Sequence, residues 1–371
     1  MNGREYLAFA GNNYAALAHH HEVVRALCDA AQGLGLTTTA SRETTGNTTT
    51  HEALESELAE FTGFPAAILV AEGYAANIAL AQSLAKDFSV AIIDETSHRS
   101  ISHSLNAAGF KIFTYRHLSA ADCAKQLAAH APDGRAVVFT DSVFAADGAV
   151  APLPELLGVL APDGILVADD CHGFCVLGRR GRGTIDHFGL RDPRLILTTT
   201  LAKGLGCYGG LIAATRLRID SIRTHAGIYR GSTPIPPPMA HAARAALRVI
   251  DRDDGTVRRL RENTHSIRAG LQALGVTINT DEVPIVTFVI SPKDRMERVH
   301  SMLLEAGFLA PLIEYPGGPA DRYFRWTVNA AHTPAQIDAL VSTFAALLEQ
   351  TAPSNAVVQA AAATLAAPTA A

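Results

Sequence analysis

The chain has 371 residues, 48% of them hydrophobic and 18% charged, with a net charge of −5 at pH 7. That length allows two domains and a large core, and the acidic balance excludes the basic surface a nucleic-acid partner requires. No apolar run reaches the ~18 residues of a membrane span, and the start Met1-Asn2-Gly3-Arg4-Glu5 lacks a signal peptide's basic and apolar stretches.

Residues 1–50 read as an N-terminal segment. Asn12-Asn13-Tyr14 reads as a turn, and a helix is expected near His20–Leu34. The stretch Thr37–Thr50 holds eight threonines and one glycine, too β-branched for a comfortable helix, and is expected to be an ordered loop leading into a helix at His51. Residues 51–245 alternate short apolar runs with helical patterns. The runs are Ala66–Val70, Val90–Asp94, Lys111–Tyr115, Ala136–Phe139, Ile165–Ala168, Leu195–Thr198 and Gly210–Ala214. Seven short strands joined by crossover helices predict an α/β fold with a mostly parallel, doubly wound sheet. After Pro234-Ile-Pro-Pro-Pro238 an alanine-rich helix, Met239–Arg252, links to a change of style.

Residues 246–350 place amphipathic helices (Gly255–Leu274, Met296–Gly307, Pro334–Gln350) among strand-like runs (Val283–Ile290, Phe308–Ile313, Tyr323–Asn329), the pattern of a small α+β domain. Arg325 lies inside the last run. Alternation puts it on the face opposite Phe324 and Trp326, where it either lines a cavity or meets water. Residues 351–371, alanine-rich with no amphipathic pattern, read as a tail without fixed structure. The five cysteines are odd in number and scattered, which fits a reducing cytoplasm better than a disulfide framework. Cys171 and Cys175 flank His172, but no second Cys or His pair stands at ligand spacing, so no metal site is expected.

Two short stretches carry chemistry. Val-Ala-Asp-Asp-Cys-His-Gly (167–173) and Thr-Thr-Thr-Leu-Ala-Lys-Gly (198–204) each follow an apolar run that reads as a buried strand. In a parallel sheet, residues at the carboxyl ends of strands line the ligand crevice. Asp169, His172 and Lys203 should therefore share one cleft. That is the set a pyridoxal phosphate (PLP) enzyme needs: a lysine for the Schiff base and an acid that keeps the pyridine nitrogen protonated. Taken singly, each residue also has a bland explanation, as a surface lysine, a helix cap or a core histidine.

Further signposts stand in order along the chain. They are Asn12-Asn13-Tyr14, His51-Glu-Ala-Leu-Glu, Glu72-Gly73-Tyr74-Ala-Ala-Asn77, Asp94 with His98, Asp147-Gly148 before Ala151-Pro152, Gly181-Arg-Gly183, Ser232-Thr233 before Pro236-Pro237, and Phe324-Arg325-Trp-Thr. With these motifs the chain, from about Tyr6 to Leu348, resembles the α-oxoamine synthases. These are fold-type I PLP enzymes that join an amino acid to an acyl thioester with loss of carbon dioxide. The resemblance implies that Lys203 carries the cofactor, Asp169 pairs with its ring nitrogen, His172 bonds near its phenol oxygen and His98 stacks on the ring. It implies that backbone amides of Gly73 and Tyr74, with the Thr200 hydroxyl, hold the phosphate. Ser232 and Thr233 would add to that grip, Thr233 from a neighbouring subunit of a homodimer with shared sites. Asn12, Arg42 and Arg325 would receive the substrate. The chemistry agrees where it can be read independently: glycine at 73 lets backbone approach closely, a helix N-terminus favours a phosphate, and arginine grips carboxylates bidentately.

Three departures from the family touch the second substrate. Leu36-Thr-Thr-Thr-Ala-Ser-Arg42 replaces a glycine-rich loop, Ala145 stands at a usual serine, and Ile313-Glu-Tyr-Pro-Gly-Gly318 replaces a more basic stretch. The leading expectation is decarboxylative condensation of an amino acid with an acyl thioester carried by coenzyme A or a carrier protein. The competing expectations are a PLP enzyme that acts on one amino acid without a thioester (aldolase, racemase, eliminase or cyclising enzyme), and a non-catalytic scaffold subunit. The scaffold would be expected to lack its lysine, and Lys203 is present.

Overall fold

The structure is a computed structural model that describes residues 3–252 and 254–352; the tail expected over 351–371 lies, from 353 onward, outside the described residues. A two-residue strand β1 (Leu7–Ala8) precedes α1 (His21–Leu34) and α2 (Thr49–Thr62). The alternating region follows as β2 (Ala66–Val70), α3 (Gly73–Leu84), β3 (Val90–Asp94), α4 (Arg99–Ala107), β4 (Lys111–Tyr115), α5 (Ala120–His130), β5 (Val137–Asp141), α6 (Leu153–Gly158), β6 (Ile165–Asp169), α7 (Thr184–His187), β7 (Leu195–Thr200) and β8 (Gly210–Ala214). Helices α8 (Arg216–His225), α9 (Gly227–Gly231), α10 (Pro237–Arg252) and α11 (Gly255–Ala273) lead to β9 (Ile285–Phe288), α12 (Lys293–Glu305), β10 (Phe308–Leu309), β11 (Leu312–Ile313), β12 (Tyr323–Thr327) and α13 (Pro334–Gln350).

Seven strands form the main sheet in the order β2-β8-β7-β6-β5-β3-β4. Its central strands β5, β6 and β7 are buried on both faces, which is why they read as continuous apolar runs rather than alternating ones. Only β8 is reversed: it pairs antiparallel with both β2 and β7, while β3 to β7 pair in parallel. The carboxyl ends of six strands thus share one edge. Register makes this concrete: Asp141 of β5 lies opposite Asp169 of β6, which lies opposite Thr198 of β7. Two separate apolar clusters pack the two faces, one including Leu54, Leu166, Leu197 and Leu247, the other Ile68, Leu80, Ile93 and Val167.

A second sheet, β11-β12-β9, builds its own core from Phe9, Phe288, Phe324, Trp326 and Phe344. The single strand expected over Phe308–Ile313 is split. Leu7 and Ala8 pair with Phe308 and Leu309, whereas Leu312 and Ile313 pair with β12. Pro311 sits at the break; having no N–H it cannot donate to a ladder, but its carbonyl accepts from Arg325 N. The threonine stretch is a loop up to Thr48, whose side chain caps α2 by accepting from the His51 amide.

Candidate active site

The site grows from strand ends. Asp169 closes β6 and Thr200 closes β7; Lys203 follows in the turn after Thr200, and His172 in the turn after Asp169. Lys203 Nζ stands 2.8 Å from His172 Nε2. His172 Nδ1 stands 2.7 Å from the Tyr14 hydroxyl, which in turn donates to Asn12 Oδ1 at 3.1 Å. Arg325 donates to Asn12 Oδ1 at 3.4 Å and to the Ala145 carbonyl at 2.6 Å. One chain of polar contacts therefore runs from Lys203 to Arg325. Phe324 and Trp326 pack in the small core, and Arg325, on the other face of the strand, reaches Ala145 and Asn12.

Burial tunes these groups. Burial first, and then the charges of Lys203 and Arg325, hold His172 well below the ordinary histidine value, so it is neutral. Burial pushes the Tyr14 phenol up to about 12, against a smaller downward pull from Arg325. The Tyr14 hydroxyl therefore keeps its proton at neutral pH.

Asp169 is held on both oxygens. Asn77 Nδ2 donates to Oδ2 at 2.8 Å, and the Cys171 amide to Oδ1 at 3.2 Å. Asn77 is itself fixed, accepting from Thr198 Oγ1 at 2.9 Å. Asp141, beside Asp169 in the sheet, accepts the His98 amide at 2.8 Å. Burial, and then the neighbouring Asp169 charge, raise Asp141 to about 8, so at neutral pH this carboxyl carries its proton. His98 caps α4 with Nδ1 2.8 Å from Ser100 Oγ, and burial lowers its own proton affinity.

Glu72, Gly73, Tyr74, His98, Ser100, Asp141, Asp169, Cys171, His172, Thr200 and Lys203 line one cavity of about 230 Å³. At its far end α3 presents its N-terminus. A Cβ on Gly73 would come within 2.8 Å of Thr200 Cβ, so only glycine lets α3 start this close to the end of β7.

Not every residue expected at the site is found there. Arg42 does not line that cavity: it pairs with Glu55 and donates to Asn47 Oδ1 at 2.9 Å, with the Tyr229 ring alongside. It lines a different concavity, with Arg223 and Arg230. A buried carboxylate claims this guanidinium, and the sequence distance to Glu55 hid the pair. Ser232 Oγ donates to the Ile228 carbonyl, Thr233 is exposed, and neither lines the cavity of its own chain. Sequence reasoning missed Tyr14, Asn77 and Asp141 as site residues. Asp141 had a usable signal, since it ends a strand as Asp169 does; Tyr14 had none beyond its neighbour Asn12.

A model of the aminotransferase class I and II proteins matches residues 4–344. The chain belongs to that family. It is 37% identical to the 8-amino-7-oxononanoate synthase of Thioalkalivibrio sulfidiphilus over 92% of this chain and 88% of that protein. It is also 37% identical to the protein of the same name from Methylococcus capsulatus, over 95% and 92%. Among solved structures, Sphingomonas wittichii serine palmitoyltransferase superposes with a TM-score of 0.89 at 25% identity, covering 94% of this chain and 89% of that one. The S. paucimobilis serine palmitoyltransferase with a bound PLP–myriocin aldimine gives 0.88 with the same identity and coverage. The resemblance to α-oxoamine synthases read from the motifs is borne out, and so is the fold-type I sheet expected with it.

Proposed function

We propose that the chain is a PLP-dependent C-acyltransferase that condenses an amino acid with an acyl thioester and releases carbon dioxide. The single observation that carries it is Lys203 Nζ against His172 in a cavity that also holds Asp169 and the N-terminus of α3. The relatives' name supports the product class: an 8-amino-7-oxo acid carries its amine beside its ketone, which is an α-amino ketone.

The donor set fits the cofactor. Gly73 leaves room for a phosphate at the α3 amides, with the Thr200 side chain alongside. Bound there, PLP supplies an electron sink for the carbanion formed at the amino acid's α-carbon. Asp169, held by Asn77 and the Cys171 amide, would pair with the ring nitrogen and keep it protonated. His172, neutral and oriented by Tyr14, holds Nε2 beside Lys203 and would meet the cofactor's ring oxygen there. Lys203 would hold the cofactor, and its Nζ, 2.8 Å from His172 Nε2, would serve as the base for the α-proton. Arg325 and Asn12 receive the substrate carboxylate, arginine by its two-pronged geometry.

The active unit is a homodimer, supported by the exposed Thr233 and by Ser232, neither of which serves its own chain's cavity. It works in a reducing compartment, as the free thiols of Cys28, Cys123, Cys171, Cys175 and Cys207 suggest. Among the described residues, no helix is long and apolar enough to cross a membrane.

Borohydride reduction of the PLP-loaded protein followed by peptide mapping tests the cofactor assignment. The label should fall on Lys203; a label on another lysine refutes it. The same preparation, sized by light scattering at micromolar concentration, should be a dimer; a monomer that turns over contradicts the shared site.

A further inference from the structure

A phosphate carries close to two negative charges near neutral pH. The cavity meant to hold one has little positive charge to offer. Among the residues lining it, Lys203 is the cation, while Asp169 and Glu72 are carboxylates. His98 and His172 are driven toward their neutral forms by burial. Arg325 is turned to Ala145 and Asn12.

Glu72 is placed where this matters most. It is the N-cap of α3, and its Oε1 accepts the Ala75 amide at 3.0 Å. Its side chain therefore already occupies the helix N-terminus whose first amides, those of Gly73 and Tyr74, are left for a phosphate. Its carbonyl packs against Gly210, where a Cβ would collide with it, and Gly73 packs against Thr200. Two anions thus share one helix N-terminus, and their repulsion is strong in a half-buried site.

We propose that Glu72 is the determinant of cofactor phosphate affinity in this chain: its carboxylate stands in for the phosphate at α3 when the cofactor is absent and opposes it when the cofactor is present. The inference rests on the PLP reading above. It makes the cofactor's hold on this protein depend on the covalent bond to Lys203 more than on its phosphate, and makes its loss and reloading easy.

The test compares wild type with Glu72→Gln, which removes only the charge, and Glu72→Ser, which removes the charge and keeps a helix cap. Equilibrium dialysis reads the affinity of each cofactor-free protein for PLP and for pyridoxal, which lacks the phosphate. Thermal melts of the cofactor-free proteins check that all three are folded. The expected result is PLP bound at least tenfold more tightly by both variants, with pyridoxal affinity changed less than twofold. Added salt should narrow the PLP difference by screening it. Unchanged or weaker PLP binding in both folded variants overturns the inference while leaving the cofactor assignment standing. Equal tightening of PLP and pyridoxal also overturns it, since the charge would then not be acting on the phosphate. Failure of all three proteins to bind either compound overturns both this inference and the assignment on which it rests.

Discussion

Asp169 carries the electronic part of the proposed chemistry, and its surroundings say so. Both oxygens are occupied by Asn77 and the Cys171 amide, and the neighbouring Asp141 keeps its own proton. Replacing Asp169 by Asn would keep the shape and lose the ability to hold a pyridinium proton. The variant should retain cofactor on Lys203 but turn over at least about a hundredfold more slowly, roughly 3 kcal/mol of lost electrostatic stabilisation. A steady-state rate within threefold of wild type would contradict the role. Asp169, His172 and Lys203 were legible in the sequence because each stands within five residues of the end of an apolar run, where strand ends line a crevice. Tyr14 was not legible, because what makes it a site residue is a 2.7 Å contact with a histidine 158 positions away. The surroundings of Arg42 were not legible for the same reason: its partner Glu55 lies on α2, and no local pattern announces the pair.

At the scale of elements, strand ends are tied to each other by polar clamps as well as by the core. Asp94, closing β3, accepts the amides of Thr96 and Leu118 at 2.9 Å each. It also lies 2.9 Å from His117 Nδ1, whose Nε2 is 3.1 Å from Asp147 Oδ2. Burial disfavours the charged imidazole, but the hydrogen bonds it donates to Asp147 and Asp94 outweigh that and raise His117 to about 9. The folded value lies above the unfolded one near 6.5, so the clamp's contribution is complete below pH 6.5 and is lost as pH rises through about 9. The shift corresponds to about 3 kcal/mol, which half-burial cuts to on the order of 2. Urea unfolding of wild type and His117→Gln should show a gap of that size at pH 6 that largely closes by pH 10. A gap independent of pH would mean that packing alone explains the residue. The main-sheet strands were legible as short apolar runs, and α13 to the residue, since Thr333 and Pro334 announce its start. The split at Pro311 was not, because choosing between two partner strands is a tertiary decision.

For the whole molecule, the site is assembled from distant stretches of chain. The N-terminal turn supplies Asn12 and Tyr14, the main sheet supplies Asp169 and Lys203, and the small sheet delivers Arg325 on a strand whose other face is a packed aromatic core. The ordered motifs made the family readable, while the convergence of the small sheet on the main sheet's edge had to come from the fold. The central claim is a condensation in which decarboxylation is tied to a thioester. It is tested by supplying the PLP-loaded protein with a panel of amino acids labelled at the carboxyl carbon, each with and without acyl thioesters on coenzyme A or a carrier protein, and counting released carbon dioxide against freed thiol. The account predicts that one pairing releases carbon dioxide and thiol in equal amounts, and that omitting the thioester stops both. Turnover of an amino acid that proceeds equally well with no thioester present would contradict it.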